Sequence, residues 1–400
     1  MCAMSRFRVA LASGIGLRLL FTVLASWRRG HWAFLVGDSF SYLKLSNNLA
    51  HGAFRDVFGN VEVFRTPGYP LLLVPGIWIG APIVFAIAFN LLLTIAIIGV
   101  TYAIARCLFD EQTAGLCAIA VAIEPTLMTW SMKVMPETAL ALVLVAFVWL
   151  MVANRQLVPG AVLICIAAYI KPIAYPLIFV LCLLAFFAFG WRKALIAIAI
   201  CVALIAPWQI RNYALTGFGG FSSVMDRAVY LSAGGSVAAQ QQGVSYTEMR
   251  RRMLEQERVR DAADPERQSR IRTKGLALIR ANPLAFAKTH VAGMLRTLFD
   301  PGAAEYLRIL DLYDRGARDT PFSQLPSRYP NVFFASLILG IALLPLVILP
   351  LIALTRSWHD QRFLLPAIVA GYLVVAGGGI PGNARMRAPA VPLLVLISAF

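Results

Sequence analysis

Charge is scarce in this 400-residue sequence: 14% of its residues are Asp, Glu, Lys or Arg, against 59% hydrophobic. Soluble chains average about 25% charged residues, so a set of soluble domains is excluded. Metal and nucleotide signatures are missing too. His31, His51, His290 and His359 are scattered, with no H-E-x-x-H and no Cys/His pairing. The six cysteines (Cys2, Cys107, Cys117, Cys165, Cys182 and Cys201) fall at the N-terminus or in apolar segments. No disulfide framework or zinc site is indicated, and they read as packing residues. Gly217, Gly219 and Gly220 do not form a dinucleotide loop after a strand, and there is no P-loop.

What is present is a series of apolar runs of about 17–25 residues, each able to cross the roughly 30 Å hydrocarbon layer. Expected spans are 9–27, 82–105, 112–130, 135–153, 157–172, 173–189, 194–210, 331–354, 363–380 and 388–400. Residues 67–81 form a shorter piece punctuated by Pro67, Pro70, Pro75 and Gly80, and their pattern leaves open whether they span or re-enter. The run after Arg6 and Arg8 reads as a retained anchor, because it is long for a signal peptide and Arg18 interrupts it. The fold class is therefore all-α, polytopic, with about ten to eleven membrane segments.

Short basic loops set the orientation. Arg6 with Arg8, Arg106, Arg155, Arg192 with Lys193, and Arg356 with Arg362 fall at alternate ends of the spans, and all are expected in the cytoplasm if 67–81 dips in and returns. The opposite side then holds 28–66, the turn at 131–136, Lys171, the polar segment 211–330 and the turn 381–387. Within that segment 246–260 and 265–299 read as amphipathic helices lying on the membrane or capping the bundle, from apolar positions such as Leu278, Phe286, Val291 and Leu295. Three units result: a membrane module over 1–211 with its first outer loop at 28–66, an outer helical segment over 212–330, and C-terminal membrane helices over 331–400. The net charge of +16 fits an anionic lipid surface or a phosphate-bearing lipid rather than nucleic acid.

Outside 211–330 there are eight acidic residues: Asp38, Asp56, Glu62, Asp110, Glu111, Glu124, Glu137 and Asp360. Ionisable groups at membrane depth are costly and tend to be functional. Asp38 can serve as a general base at the mouth of a cleft, or merely cap the helix that follows it. Arg65, opening RTPGYPLLL with Tyr69, can pin a phosphate or snorkel to headgroups. Glu137 stands at a helix start, where the dipole alone would favour it. Glu124 needs a partner such as Lys133 or Lys171, and Lys171 itself demands a carboxylate or a lipid phosphate. Arg211, Arg385 and Arg387 complete a set of cations on one side, each alone an interfacial anchor, together an anion site of phosphate or diphosphate size.

In order, GDSFSY, NNLAHGAF, FRTPGYPLLL, TLMTWSMKVMPETAL, AYIKP, PWQIRNYALTGF and ARMRAPAVPLL resemble the GT-C membrane glycosyltransferases, in the bacterial branch related to protein O-mannosyltransferases and the lipid A aminoarabinose transferase. The resemblance covers about residues 8–225 well and the last spans loosely. It implies a GT-C helical bundle in a bacterial inner membrane, a polyprenyl-phosphate sugar donor, and inverting transfer to an acceptor at the outer face of that membrane, towards the periplasm or exterior. Asp38 would be the catalytic carboxylate. Arg65, Lys171 and Arg211 would be cations on the phosphate side, and Arg385 and Arg387 match the family's basic pair. Tyr69, Glu62 and Glu137 belong to the same expected substrate-binding set. The sequence departs where relatives carry an Asp-Glu pair, having Asp38-Ser39, and where they carry Arg-Pro, having Lys171-Pro172. Those departures leave a divalent metal open, and acceptor recognition falls to 211–330 or a partner. The competing readings are a transporter or flippase for an anionic lipid-linked substrate, and a non-catalytic scaffold.

Overall fold

The structure, a computed structural model, describes residues 2–152, 155–257, 264–314, 316–317, 320, 322–379 and 382–400. Among them there is no β-strand, only an isolated bridge between Arg55 and Val61. The helices run α1 Cys2–Arg29, α2 Gly37–Ala50, α3 Gly68–Trp78, α4 Pro82–Leu108, α5 Glu111–Ile123, α6 Pro125–Ser131, α7 Glu137–Val152, α8 Leu157–Ile170, α9 Leu177–Phe189 and α10 Trp191–Thr216. There follow α11 Val224–Arg227, a π-helical stretch Ala228–Gly234, α12 Gly235–Gln242, α13 Tyr246–Glu257, α14 Pro265–Ala281, α15 Pro283–Phe299 and α16 Ala303–Ile309. The chain closes with α17 Leu325–Arg328, α18 Pro330–Ser357, α19 Gln361–Ala376, α20 Ala384–Arg387 and α21 Val391–Ile397.

Among the described residues five helical segments are long and apolar enough to cross a membrane, six if the α5–α6 pair, bent by 52°, counts as one. Only 22–28% of the most apolar window in each of the five is buried. Their surfaces present Leu20, Val23, Leu92, Phe187, Val202 and Ile338 outward. A soluble monomer rarely exposes apolar area on that scale. The chain is a multi-pass membrane protein.

The expected ten to eleven spans are not reached by length. The apolar helices α3, α7, α8 and α19 have 11, 16, 14 and 16 residues, short of the roughly 20 needed to cross unaided. Prolines and charged residues cut them. Lys171-Pro172 ends α8, and Glu124 breaks 112–130 by turning its carboxylate onto the Leu127 amide as the N-cap of α6. The expected span 388–400 is a 3-10 turn, Ala388–Ala390, followed by the seven-residue α21, buried in the bundle core. The helix expected over 246–260 is present to Glu257; residues 258–260, 153, 380 and 381 of expected segments lie outside the described residues. The helix expected over 265–299 is two, because Asn282 caps a new start and Pro283 has no N–H to continue the old one.

Arg18, the charge interrupting the first run, is only 2% exposed. It donates to Ser131 Oγ at 3.0 Å and to the Gly14 and Ala122 carbonyls, tying α1 to α5 and α6. Two further joints position the site. A Cβ on Gly68 would lie 2.5 Å from the Tyr169 carbonyl, so glycine there lets α3 start directly against the end of α8. The Ser223 amide and the Ser222 hydroxyl donate to the Val63 and Phe64 carbonyls at 3.0 and 2.6 Å, which fixes α11 beside Arg65.

The segment after α10 is not free in solvent. Tyr230, Leu231, Met249, Met253 and Ile271 make a small core joining α12–α14. Helix α15 packs on α18–α20, where Gly293 meets the backbone of Gly379 so closely that no Cβ fits. Its Val291, Leu295 and Phe299 face outward, as on a helix lying at a membrane surface.

Candidate functional site

The site grows from one face of α2. Asp38, Ser41 and Tyr42 stand at i, i+3 and i+4, the spacing that aligns side chains on a helix. All three engage one arginine. Arg65 donates to Asp38 Oδ1 at 2.7 Å, to Ser41 Oγ at 3.1 Å and to Tyr42 OH at 2.8 Å. Glu62 holds that arginine's backbone: its Oε1 accepts from the Phe64 and Arg65 amides at 2.6 and 2.8 Å.

A second arginine arrives from the far end of the chain. Arg385 donates to Asp38 Oδ2 at 2.8 Å and to Glu137 Oε1 at 2.6 Å. Its helix start is pinned by the Asn383 side chain on the Arg385 amide and by Asp300 on the Ala384 amide. Lys171, at the break after α8, reaches the same Glu137 Oε1 at 3.0 Å. Two carboxylates and three cations thus form one chain: Arg65, Asp38, Arg385, Glu137, Lys171. Glu137 is fully buried, and a carboxylate there is tolerable only because two cations meet it. Burial raises the Asp38 pKa, but Arg65 and Arg385 outweigh it and hold the carboxyl at about 2.

This chain separates two cavities. One, of about 440 Å³, is lined by Asp38, Arg65, Lys171, Arg385 and, from α11 and α13, Arg227 and Arg250. The other, of about 600 Å³, is lined by Asp38 and Arg385 again, with Trp130, Leu35, Asp300 and Glu305. Asp38 and Arg385 are the wall between them.

Other expected residues face elsewhere. Arg387, only 1% exposed, donates to the Thr297 and Leu298 carbonyls and to Thr126, tying the end of α15 to α6. Arg211 donates to the Glu62 carbonyl and to Asn212, and stacks 4.7 Å over Trp208, so it braces the 54–62 loop outside the basic cavity. Tyr69 is buried and meets the Tyr42 ring edge-on at 4.9 Å, backing that ring from behind. Glu124 pairs with neither Lys133 nor Lys171. Lys133 donates to the Ala33 carbonyl at 2.7 Å and lies 3.6 Å from Glu305. The sequence reading missed Tyr42, Ser41, Trp130, Arg227 and Arg250. The first two were legible in the i, i+3, i+4 spacing; no local pattern marks the others.

A divalent cation does not fit the donors present. Among the described residues no group of three His, Cys, Asp or Glu side chains converges, and both oxygens of Asp38 are held by guanidiniums.

No protein-family model and no curated protein sequence matches the chain. Solved structures do. The oligosaccharyltransferase of Archaeoglobus fulgidus in its apo form aligns with a TM-score of 0.51 at 13% identity, over 99% of this chain and 50% of that one. The same enzyme tethered to an acceptor peptide carrying the NVT sequon aligns at 0.51 and 16% identity, over 99% and 49%. The chain thus spans about half the length of the structures it matches. Its fold is the GT-C fold of the archaeal oligosaccharyltransferase structures.

Proposed function

We propose that this protein is a membrane glycosyltransferase that moves a sugar from a polyprenyl-phosphate-linked donor to a lipid, glycan or protein acceptor. The observation that carries the reading is the shared wall: Asp38 and Arg385 border both cavities. Two substrates that must react need two approaches to one carboxylate. The basic cavity suits the donor phosphate, and the cavity beside Trp130 suits the acceptor.

In this reading the acceptor's O–H or N–H hydrogen-bonds to Asp38. As the nucleophile attacks the anomeric carbon, the proton passes to the carboxylate and the bond from that carbon to the phosphate oxygen breaks. Lipid phosphate leaves with the electron pair, and the cations of the basic cavity stabilise its growing charge. A carboxyl at about pKa 2 is a weak base, since general bases work best near the operating pH. A donor phosphate drawing Arg65 and Arg385 toward itself raises Asp38 toward the usual carboxylate range, so donor binding readies the base. The catalytic face is the periplasmic side of a bacterial inner membrane, with the basic loops in the cytoplasm.

The bend between α5 and α6 also suits a transporter, which uses broken helices to build its site. One experiment separates the two. Membranes containing the protein are incubated with a radiolabelled polyprenyl-phosphate sugar: a transferase releases polyprenyl phosphate, whereas a transporter leaves the donor intact.

A further inference from the structure

We infer that the donor carries a diphosphate, and that Arg227 and Arg250 hold the phosphate that Arg65, Lys171 and Arg385 do not. This rests on the lipid-linked donor proposed above and names its charge class.

Three of the cavity's cations already have carboxylate partners. Arg65 and Arg385 are paired with Asp38, and Arg385 and Lys171 with Glu137. Arg227 and Arg250 line the same cavity, yet among the described residues neither side chain has a hydrogen bond or an ion pair. Arg227 only rests its guanidinium 5.2 Å from the Phe64 ring, which Arg65 also approaches at 5.5 Å. Burial lowers the Arg227 pKa, and repulsion from Arg250 and then Arg65 lowers it further. Asp38 offsets this last and least.

Among the described residues five cations line this cavity, against Asp38 in its lining and Glu137 paired behind it with Lys171 and Arg385. A sugar phosphodiester brings one negative charge and leaves most of that excess unbalanced. A sugar diphosphate brings two, and the departing lipid diphosphate more. Guanidiniums without a carboxylate partner are the natural ligands of phosphate oxygens. Both come from α11 and α13, whereas Asp38 and Arg385 come from α2 and α20, so they offer a phosphate ligands from separate elements of the cavity wall. That geometry suits a second phosphate further from the anomeric carbon.

The test is binding to the purified full-length protein in detergent, with farnesyl diphosphate, farnesyl monophosphate and inorganic diphosphate as probes. The expected result is a preference of about 100-fold for farnesyl diphosphate over the monophosphate. Arg227→Gln and Arg250→Gln should each weaken farnesyl diphosphate by about tenfold or more, and shift the monophosphate by less than about threefold. Arg250 is exposed on α13, so its variant carries the test if Arg227→Gln fails to fold. Equal affinity for the two lipids, or no effect of either substitution, overturns the diphosphate while leaving a monophosphate donor standing. Inorganic diphosphate binding as tightly as the farnesyl compound overturns the lipid as its carrier. If neither lipid binds, the donor reading falls and this inference with it.

Discussion

Asp38 and Arg385, 347 positions apart, meet at 2.8 Å in the wall between two cavities. The contact brings the start of α2 to the short helix α20, and in the proposed reading it marks where two substrates approach one another. Asp38→Asn keeps the shape of the side chain but cannot take a proton at neutral pH. The expected loss is about 10²–10⁴-fold in turnover, with donor affinity nearly unchanged. Parallel turnover and donor-binding assays on the variant check this. Wild-type turnover would reduce Asp38 to a helix-start residue pinned by two arginines.

Glu137→Gln tests the buried end of the same chain. The substitution removes the counter-charge of Lys171 and Arg385, whose side chains are 12% and 18% exposed. Breaking one side of a buried pair costs about 3–5 kcal/mol. A large drop in thermal midpoint in detergent is expected, and an unchanged midpoint would show that solvent or lipid compensates the two cations.

Arg387→Ala separates tether from site. Its three hydrogen bonds go to Thr297, Leu298 and Thr126, none of which lines the basic cavity. Stability should fall while donor affinity in the surviving folded fraction stays at the wild-type value. A selective loss of donor binding would return Arg387 to the site.

Arg385 and Arg387 show where the sequence stops being legible. Two residues along a helix turn a side chain by about 200°, so one arginine faces the cavity and the other the core. Counting cations in a motif cannot separate them. Arg211 went astray for a related reason: its neighbours Trp208 and Glu62 bind it, and only one of these is near it in sequence. The i, i+3, i+4 set on α2 was readable, because helical spacing is local. Arg227 stands at the cavity where Ser222 and Ser223 dock on the Phe64 and Val63 carbonyls, and Arg250 comes from α13; neither placement has a local pattern. The all-helical, membrane-embedded character followed from composition, but hydropathy alone ran past breaks such as Glu124 and Lys171-Pro172.

The Asp38 pairing sets a pH dependence. Its folded pKa of about 2 lies below the ordinary 3.8, so the pairing stabilises the fold fully above about pH 4 and the contribution is lost as pH falls toward 2. The side chain is 37% exposed, so solvent screening makes the effect smaller than the shift alone implies. The gap in thermal midpoint between wild type and Asp38→Asn should narrow between about pH 4 and 2. A gap already closed at pH 6 would contradict the two ion pairs.

Sidedness is tested by labelling. Cys107 is exposed near the basic end of α4, and Phe58 is exposed in the first polar loop. In spheroplasts an impermeant maleimide should react with Phe58→Cys directly and with Cys107 only after permeabilisation. The reverse pattern would place the site in the cytoplasm.

The most direct test of the whole account is release of polyprenyl phosphate or diphosphate from a radiolabelled lipid-linked sugar by the purified protein, with an extract of cell-envelope acceptors supplied. The account predicts acceptor-dependent release by the wild type, lost on the order of 10²–10⁴-fold in Asp38→Asn. Donor that binds but is recovered intact, with wild type and variant alike, would contradict it.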